Sequence, residues 1–131
     1  MFFIPLFESQ LKTKYIGRHF DYFRQTTSTN FDVEEAIKNN INGYTCISEY
    51  QSNGVGRRNT RWHSNPYKSL TFSFSVKENK LFNSNLLSLL VATSISEAYK
   101  LITNQFLQFK FPNDLILNNQ KVGGILIKKV K

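Results

Sequence analysis

Two glycines and three arginines stand close together between Glu49 and Trp62, in the run Glu-Tyr-Gln-Ser-Asn-Gly-Val-Gly-Arg-Arg-Asn-Thr-Arg-Trp. Gly54 and Gly56 carry no Cβ, so backbone N–H groups there can come close to a ligand. Arg57 and Arg58 add planar donor forks suited to carboxylate or phosphate. The stretch therefore reads either as a loop that receives an anion or as a solvated basic turn. Three other groups could join it. Ser28, Thr29 and Asn30 offer hydroxyls and an amide, or simply cap a helix. Lys110-Phe111-Pro112-Asn113-Asp114 sets a cation beside hard oxygen donors, or is an ordinary turn. Lys121 precedes Gly123 and Gly124, as a ligand lysine or as a solvated one at the start of a strand.

These residues need elements to position them. Residues 1–19 read as a lead-in, and His19 to Arg24 as a short strand. Thr26 to Asn30 are N-cap residue types before Phe31 to Lys38, whose early acids suit a helix start. Asn39 to Gly43 ends that helix. Tyr44 to Tyr50 is a β-prone run, and Gln51 to Pro66 a long loop. Leu70, Phe72, Phe74 and Val76 alternate, which predicts a strand over Ser69–Val76 with those four side chains buried. Lys77 to Ser84 is a connection.

Asn85 to Thr103 has the clearest helical period. Leu86, Leu87, Leu90, Val91, Ser94, Ile95, Ala98, Leu101 and Ile102 form its stripe, with Asn83 or Ser84 as cap. The stripe is expected to be core, anchoring the sheet. Strands are expected at Phe106–Phe111, with Lys110 on the non-core side, at Leu115–Leu117, and from Lys121 to Val130. A turn at Asn118-Asn119-Gln120 separates the last two. The order is mixed α+β, with antiparallel pairing after the long helix.

The chain has 131 residues, enough for one domain, and 40% of them are hydrophobic, too many for a disordered chain. Its formal charge of +8 and pI of about 9.7 suit an anionic partner. The charge is spread along the chain, and no nucleic-acid-binding motif accompanies it. Cys46 is the single cysteine, so no internal disulfide can form, which fits a reducing cytoplasm. It reads as a small buried residue rather than a nucleophile, and no zinc spacing exists. The apolar start is broken by Pro5 and Glu8 and has no basic flank, so no signal peptide is expected, nor any segment approaching membrane-span length.

Ser28-Thr29-Asn30, then Gln51 with Gly54-x-Gly56-Arg57-Arg58 and Trp62, then Lys110-Phe111-Pro112-Asn113-Asp114 and Lys121-Val122-Gly123-Gly124 occur in an order and spacing that resembles the catalytic domain of biotin protein ligases, from about residue 20 to residue 128. The resemblance implies an α+β fold with a mixed, largely antiparallel sheet and helices packed on one face. It implies that biotin's carboxylate attacks the α-phosphate of ATP, giving biotinyl-5′-AMP, and that a lysine of a biotin carboxyl carrier protein, as in acetyl-CoA carboxylase, then takes the biotin. The substrates would be biotin and ATP, with Mg²⁺.

By the same resemblance Ser28, Thr29, Gln51, Gly54, Arg57, Lys121 and Gly124 bind biotin. Arg58, Trp62, Lys110, Asn113 and Asp114 bind ATP, with Asn113 and Asp114 at the metal. Lys121, Lys110 and Arg57 carry the catalytic charge. Trp62 either stacks on adenine or anchors the loop. The related lipoate–protein ligases, an inactive or split fragment, and a basic nucleic-acid-binding module are the alternatives.

Val55, Asn59, Phe111 and Lys128 depart from the residues common in the family. The resemblance also implies that residues 1–131 form one partial catalytic domain, without the N-terminal DNA-binding domain of the repressor subgroup or the C-terminal β domain. A separately encoded C-terminal fragment is then a candidate partner, and the last strand, if it is an unpaired apolar edge, is an association hazard. The chain alone should therefore melt with low cooperativity and make little biotinyl-AMP. Calorimetry and an adenylation assay on the purified chain test this, and a sharp melt with full synthesis would contradict it.

Overall fold

The structure is a computed structural model that describes residues 2–38, 41–77 and 83–130. The chain divides into two compact units, Met1–Lys77 and Glu78–Lys131. Each has its own three-stranded sheet. Of the four strand pairings one is parallel and three are antiparallel, the mixed and mainly antiparallel pattern expected.

In the first unit the sheet order is β1 (Phe20–Phe23), β2 (Thr45–Ser48) and β3 (Thr71–Phe74). Helix α1 (Ile4–Gln10) precedes them, and helix α2 (Thr29–Ile37) joins β1 to the parallel β2. Val33 of α2 packs with Tyr44 and Cys46 in the core of this unit, bordered by Ala36, Ile37 and Ile41. The β-branched Thr45 and Ile47 suit the central strand β2, where all four residues are buried. The lead-in is more ordered than the sequence suggests. Pro5 lies in the first turn of α1, where its missing N–H costs nothing. Phe2 and Phe7 then meet Phe20 and Tyr22 edge-on or stacked, with ring centroids 4.9–6.5 Å apart. The register puts Phe20 and Tyr22 level with Thr45 and Ile47, so these rings lie on the face opposite the one α2 covers.

β3 turns the other way from the expectation. Leu70 is 73% exposed, and Phe72 and Val76 are exposed too, while Thr71 and Ser75 are buried and Ser73 is half-buried. Apolar alternation marks two faces but does not say which one meets a helix. Here hydroxyls hold the inner face. Thr71 Oγ1 donates to Ser48 O at 2.6 Å, and Ser75 Oγ to Ile41 O at 3.2 Å.

The second unit starts with α3 (Ser84–Thr103), followed by β4 (Gln108–Lys110), β5 (Asp114–Leu117) and β6 (Gln120–Gly124), paired in that order. Asn83 caps α3 by accepting from the Leu86 N–H at 2.9 Å, and Asn104 ends it in a left-handed conformation. Ser96 Oγ both accepts from Leu107 N–H and donates to Leu107 O, which ties α3 to the lead into β4. Asn118 and Asn119 both have positive φ, the two-residue turn that matches the twist of a hairpin, and Asn tolerates it.

Four expectations for this unit are corrected. The α3 stripe is not core: Leu101 and Ile102 are 88% and 86% exposed, and Ser88 and Ala92 are its buried positions. A helical period finds an apolar face without showing that anything covers it. α3 is also long and apolar enough to cross a membrane by length and composition, with a mean hydropathy of 1.3, although Glu97 and Lys100 lie on it. The last strand ends at Gly124 rather than Val130, and Phe111 lies in a turn, 65% exposed, joined to Pro112 by a cis peptide bond. The expected connection over Lys77–Ser84 falls at residues 78–82 outside the described residues, as do residues 39 and 40 of the first helix's end.

Gly43 fixes the entry to β2. Its φ is +77°, and a Cβ there would lie 2.6 Å from Tyr15 O. Gly43→Ala is expected to destabilise the first unit by about 1–3 kcal/mol, read as a lower urea midpoint with an unchanged slope.

Candidate functional site

The first unit gathers several of the predicted residues at one end of β1 and β2. The parallel pairing runs on past the strands. Thr26 N–H donates to Tyr50 O, Ser52 N–H to Thr26 O and Asn53 N–H to Thr27 O, at 2.9–3.1 Å. Two segments that leave a sheet side by side keep their next residues close. The start of α2 lies on one, and Gln51 with the glycine loop on the other.

Ser28 is the N-cap of α2 and is buried, yet its side chain makes no cap bond. The capping oxygen comes from across the sheet. Gln51 Oε1 accepts from the Thr29 N–H at 2.8 Å and lies 3.0 Å from Thr29 Oγ1. This satisfies an N–H that a helix start leaves without a partner. It also fixes the Gln51 amide, with Oε1 on α2 and Nε2 turned toward Gly54. The Gln51 N–H in turn donates to Ser64 Oγ at 3.1 Å. Gln51 thus has the helix-capping duty that sequence reasoning gave to Ser28 or Thr29.

The loop is a closed turn. Trp62 N–H donates to Gly54 O at 2.8 Å, Gly56 N–H to Thr60 O at 2.7 Å, and Thr60 N–H to Arg57 O at 3.1 Å. Val55 and Arg61 form a bridge across it. Arg58 and Asn59 sit at the tip, both with positive φ. Asn is at ease in the left-handed region, so Asn59 suits its place, whereas Arg58 there is strained by roughly 1–2 kcal/mol. Arg57 and Arg58 are exposed and Trp62 is half-buried. A side chain at Gly54 would come within 2.8 Å of Trp62 O and 3.0 Å of Gln51 Nε2, so glycine is required where the loop passes Gln51.

Below α2 lies a second polar group. Asp32 Oδ2 accepts from Thr26 Oγ1 at 2.6 Å and from the Cys46 thiol at 3.4 Å. Burial first, then Asp32, push the Cys46 thiol far up, so it stays protonated. This is an inert buried cysteine. Tyr44 donates to Asp21, and its phenol is raised by burial and by that carboxylate.

The second unit places Lys110, Asp114, Lys121 and Gly124 on one antiparallel sheet, with Asn113 in the turn that leads into Asp114. Lys110 is level with Asp114, and Asp114 with Gly124. Asp114 Oδ1 meets Lys121 Nζ at 2.7 Å and accepts from Asn113 Nδ2 at 3.0 Å. The pair is partly exposed, so the bridge contributes at most about 1 kcal/mol. Lys110 is exposed, as expected of a non-core face. Among the described residues no group of three or more His, Cys, Asp or Glu side chains could hold a metal by itself. Asp114 Oδ2 takes part in neither contact, and one carboxylate oxygen together with phosphates and water is a fitting donor set for Mg²⁺.

Sequence reasoning missed Ser64 and Ser73, and read Asn30 only as part of the Ser28-Thr29-Asn30 helix start. Ser73 Oγ donates to Asn30 Oδ1 at 2.6 Å and lies 2.8 Å from Thr29 Oγ1. The hydroxyl alternation Thr71-x-Ser73-x-Ser75 was the available signal, hidden behind the apolar alternation of the same strand.

With this arrangement the class is defined. Residues 22–131 match the biotin/lipoate A/B protein ligase family, and the chain belongs to that family. It is 30% identical over 131 residues to biotin–protein ligase 2 of Arabidopsis thaliana, covering 95% of this chain and 40% of that one. It is 29% identical to the bifunctional ligase/repressor BirA of Bacillus subtilis, covering 88% and 36%. The fold matches the biotin protein ligase from Aquifex aeolicus in complex with biotin and ATP, with a TM-score of 0.77 and 30% identity over 87% of this chain and 48% of that one. It also matches the biotin acetyl coenzyme A carboxylase synthetase from Helicobacter pylori with bound biotinylated ATP, with a TM-score of 0.72 and 29% identity over 86% and 56%. The chain thus spans well under half the length of these curated relatives, and about half of the solved ones.

Replacing Gln51 by Ala leaves the Thr29 N–H uncapped and should cost about 1–2 kcal/mol of stability. Gln51→Glu keeps an oxygen at the positive end of α2 and should recover most of it. Urea unfolding of the two variants gives the comparison.

Proposed function

We propose that this chain carries substrate-activating machinery of a biotin protein ligase. Biotin's carboxylate oxygen attacks the α-phosphate of ATP, pyrophosphate leaves, and biotinyl-5′-AMP forms. The amine of a carrier-protein lysine then attacks the acyl carbon and AMP leaves, giving an amide. The observation that carries this reading is the Thr29–Gln51 pair, with the Gly54–Trp62 turn opening directly after it. A ureido ring has two N–H donors and one carbonyl acceptor, and such a pair of hydroxyl and amide can bind it.

Each proposed role rests on the chemistry of a side chain. Thr29 and Gln51, with Ser28 beside them, hold the ring. The turn at Gly54 and Gly56 covers the activated acyl group, and Arg57 meets carboxylate or phosphate charge, with Arg58 second. Trp62 offers a flat face to adenine. Lys110 and Lys121 neutralise charge that builds as the carboxylate meets the phosphate; one well-placed donor of this sort is worth on the order of 3 kcal/mol of barrier. Gly124 allows close backbone approach. Mg²⁺, when bound with ATP, neutralises phosphate charge, and Asp114 with Asn113 would hold it.

The proposed acceptor is a biotin carboxyl carrier protein or domain of acetyl-CoA carboxylase, and a buried, unpaired thiol suits a reducing cytoplasm. Lipoate ligation is the alternative within the family. The Gly-x-Gly-Arg-Arg turn and Lys-Phe-Pro-Asn-Asp favour biotin.

With Mg-ATP present, biotin should raise the melting temperature of the chain and lipoate should not. Lys121→Ala should leave the fold intact and abolish biotin-dependent release of pyrophosphate. Stabilisation by lipoate alone would move the assignment to the lipoate branch, and undiminished release would make Lys121 a solvated lysine.

A further inference from the structure

In the structure Lys121 is engaged by an acid. Its Nζ lies 2.7 Å from Asp114 Oδ1, the same oxygen that accepts from Asn113 Nδ2 at 3.0 Å. The hairpin explains why the two charges meet. Its two-residue turn at Asn118–Asn119 sets Lys121 level with Ile116, two residues along β5 from Asp114 and so on the same face. A diagonal pair of this kind is within reach of a long side chain. Lys110 stands level with Asp114 on the other neighbouring strand. One carboxylate thus sits between two lysines.

Asp114 and Lys121 have opposite duties in the adenylation proposed above, on which this inference rests. Lys121 meets anionic substrate charge, and Asp114 meets a cation. While they hold each other, each cancels the field that the other would offer to a ligand. The pair is open to solvent, with side-chain exposures of 45% for Lys121 and 26% for Asp114, so it is weakly held. If Asp114 takes a divalent ion on Oδ2, the Lys121 ammonium on Oδ1 faces that ion across a single carboxylate. Repulsion at such a spacing exceeds what so exposed an ion pair returns. Asn113 Nδ2 remains to hold Oδ1, so the carboxylate keeps its orientation when Lys121 leaves.

We propose that the Asp114–Lys121 pair is a latch on the activation step: Asp114 lets go of Lys121 when it takes the Mg²⁺ carried by the nucleotide, and Lys121 then turns to the carboxylate of the acid to be activated. Asp114 is in this way a positioning residue for Lys121 as well as a holder of the metal. Since coupling between two ligands is reciprocal, Mg-nucleotide and biotin should each strengthen the binding of the other.

The test uses the whole chain and an ATP analogue with a methylene group between its α- and β-phosphorus, which a carboxylate cannot split. The Lys121 ammonium is followed by NMR, its signal assigned by its loss in Lys121→Arg. With no biotin present, the analogue with Mg²⁺ should move that signal toward its position in Asp114→Asn, and a signal that stays in place overturns the latch. Calorimetric titration with biotin alone gives the second readout. Asp114→Asn keeps the shape of the acid and frees Lys121, so biotin should bind about threefold to fivefold tighter than to the unmodified chain, the scale of one exposed ion pair. In a Lys121→Ala background the same change should bring no gain. An Asp114 that only holds metal would leave the affinity for biotin alone unchanged in Asp114→Asn, and simple removal of a negative charge would give the same gain with or without Lys121. Either result overturns the inference. If biotin binds no variant while the Lys121 signal still answers the nucleotide, the biotin reading fails, and this inference with it.

Discussion

The parallel pairing of β1 with β2, carried on through Thr26–Thr27 and Tyr50–Asn53, is the constraint on which the first unit depends. It sets α2 and the glycine turn leaving the sheet from the same end. It brings Gln51 within bonding distance of the first helical N–H. Once that bond forms, the Gln51 amide has one orientation, and the space beside its Nε2 admits only a glycine at position 54. Three features that look unrelated along the chain, a helix start, a strand-end glutamine and a glycine loop, are thus one structural unit. The cap on α2 is a long-range contact across 22 residues of sequence.

Much of this was legible in the sequence, and the rest was not for definite reasons. The strands at β1, β2, β4 and β5 and both longer helices lie where periodicity and capping residues place them, because those signals are local. The turns at Asn118–Asn119 and around Asn113 reflect residues that tolerate turn geometry. The buried face of β3 was misread because Leu70, Phe72, Phe74 and Val76 form the stronger alternation, yet α2 packs against the hydroxyl side. The stripe of α3 was misread for a related reason: a sequence contains the apolar face but not the surface that would cover it. The helix in residues 4–10 needed the ring contacts of Phe2 and Phe7 with Phe20, which no local pattern announces.

The candidate site divides along the same line. Ser28, Thr29, Gln51 and Gly54 were found by order and spacing, and they lie together in the first unit. Lys110, Asn113, Asp114, Lys121 and Gly124 were found in the same way, and they lie on the sheet of the second unit and the turn between its first two strands. Ser73 escaped because the hydroxyl alternation of β3 lies behind the stronger apolar alternation of the same strand. Gln51 was read as a ligand group when it is also the cap of a helix. A residue with both duties couples the stability of α2 to the geometry presented to a ligand.

The group around Thr29 is made almost wholly of short side chains: Ser28, Thr29, Asn30, Ser64 and Ser73, with Gln51 the longest. Serine and threonine have few rotamers to lose, and the hydrogen bonds among them settle those few as the chain folds. A ligand arriving there has little side-chain entropy left to remove. Its binding should then have a small entropic penalty from the protein, and the rigidity that makes this so is the same rigidity that holds Gln51 Oε1 2.8 Å from the Thr29 N–H.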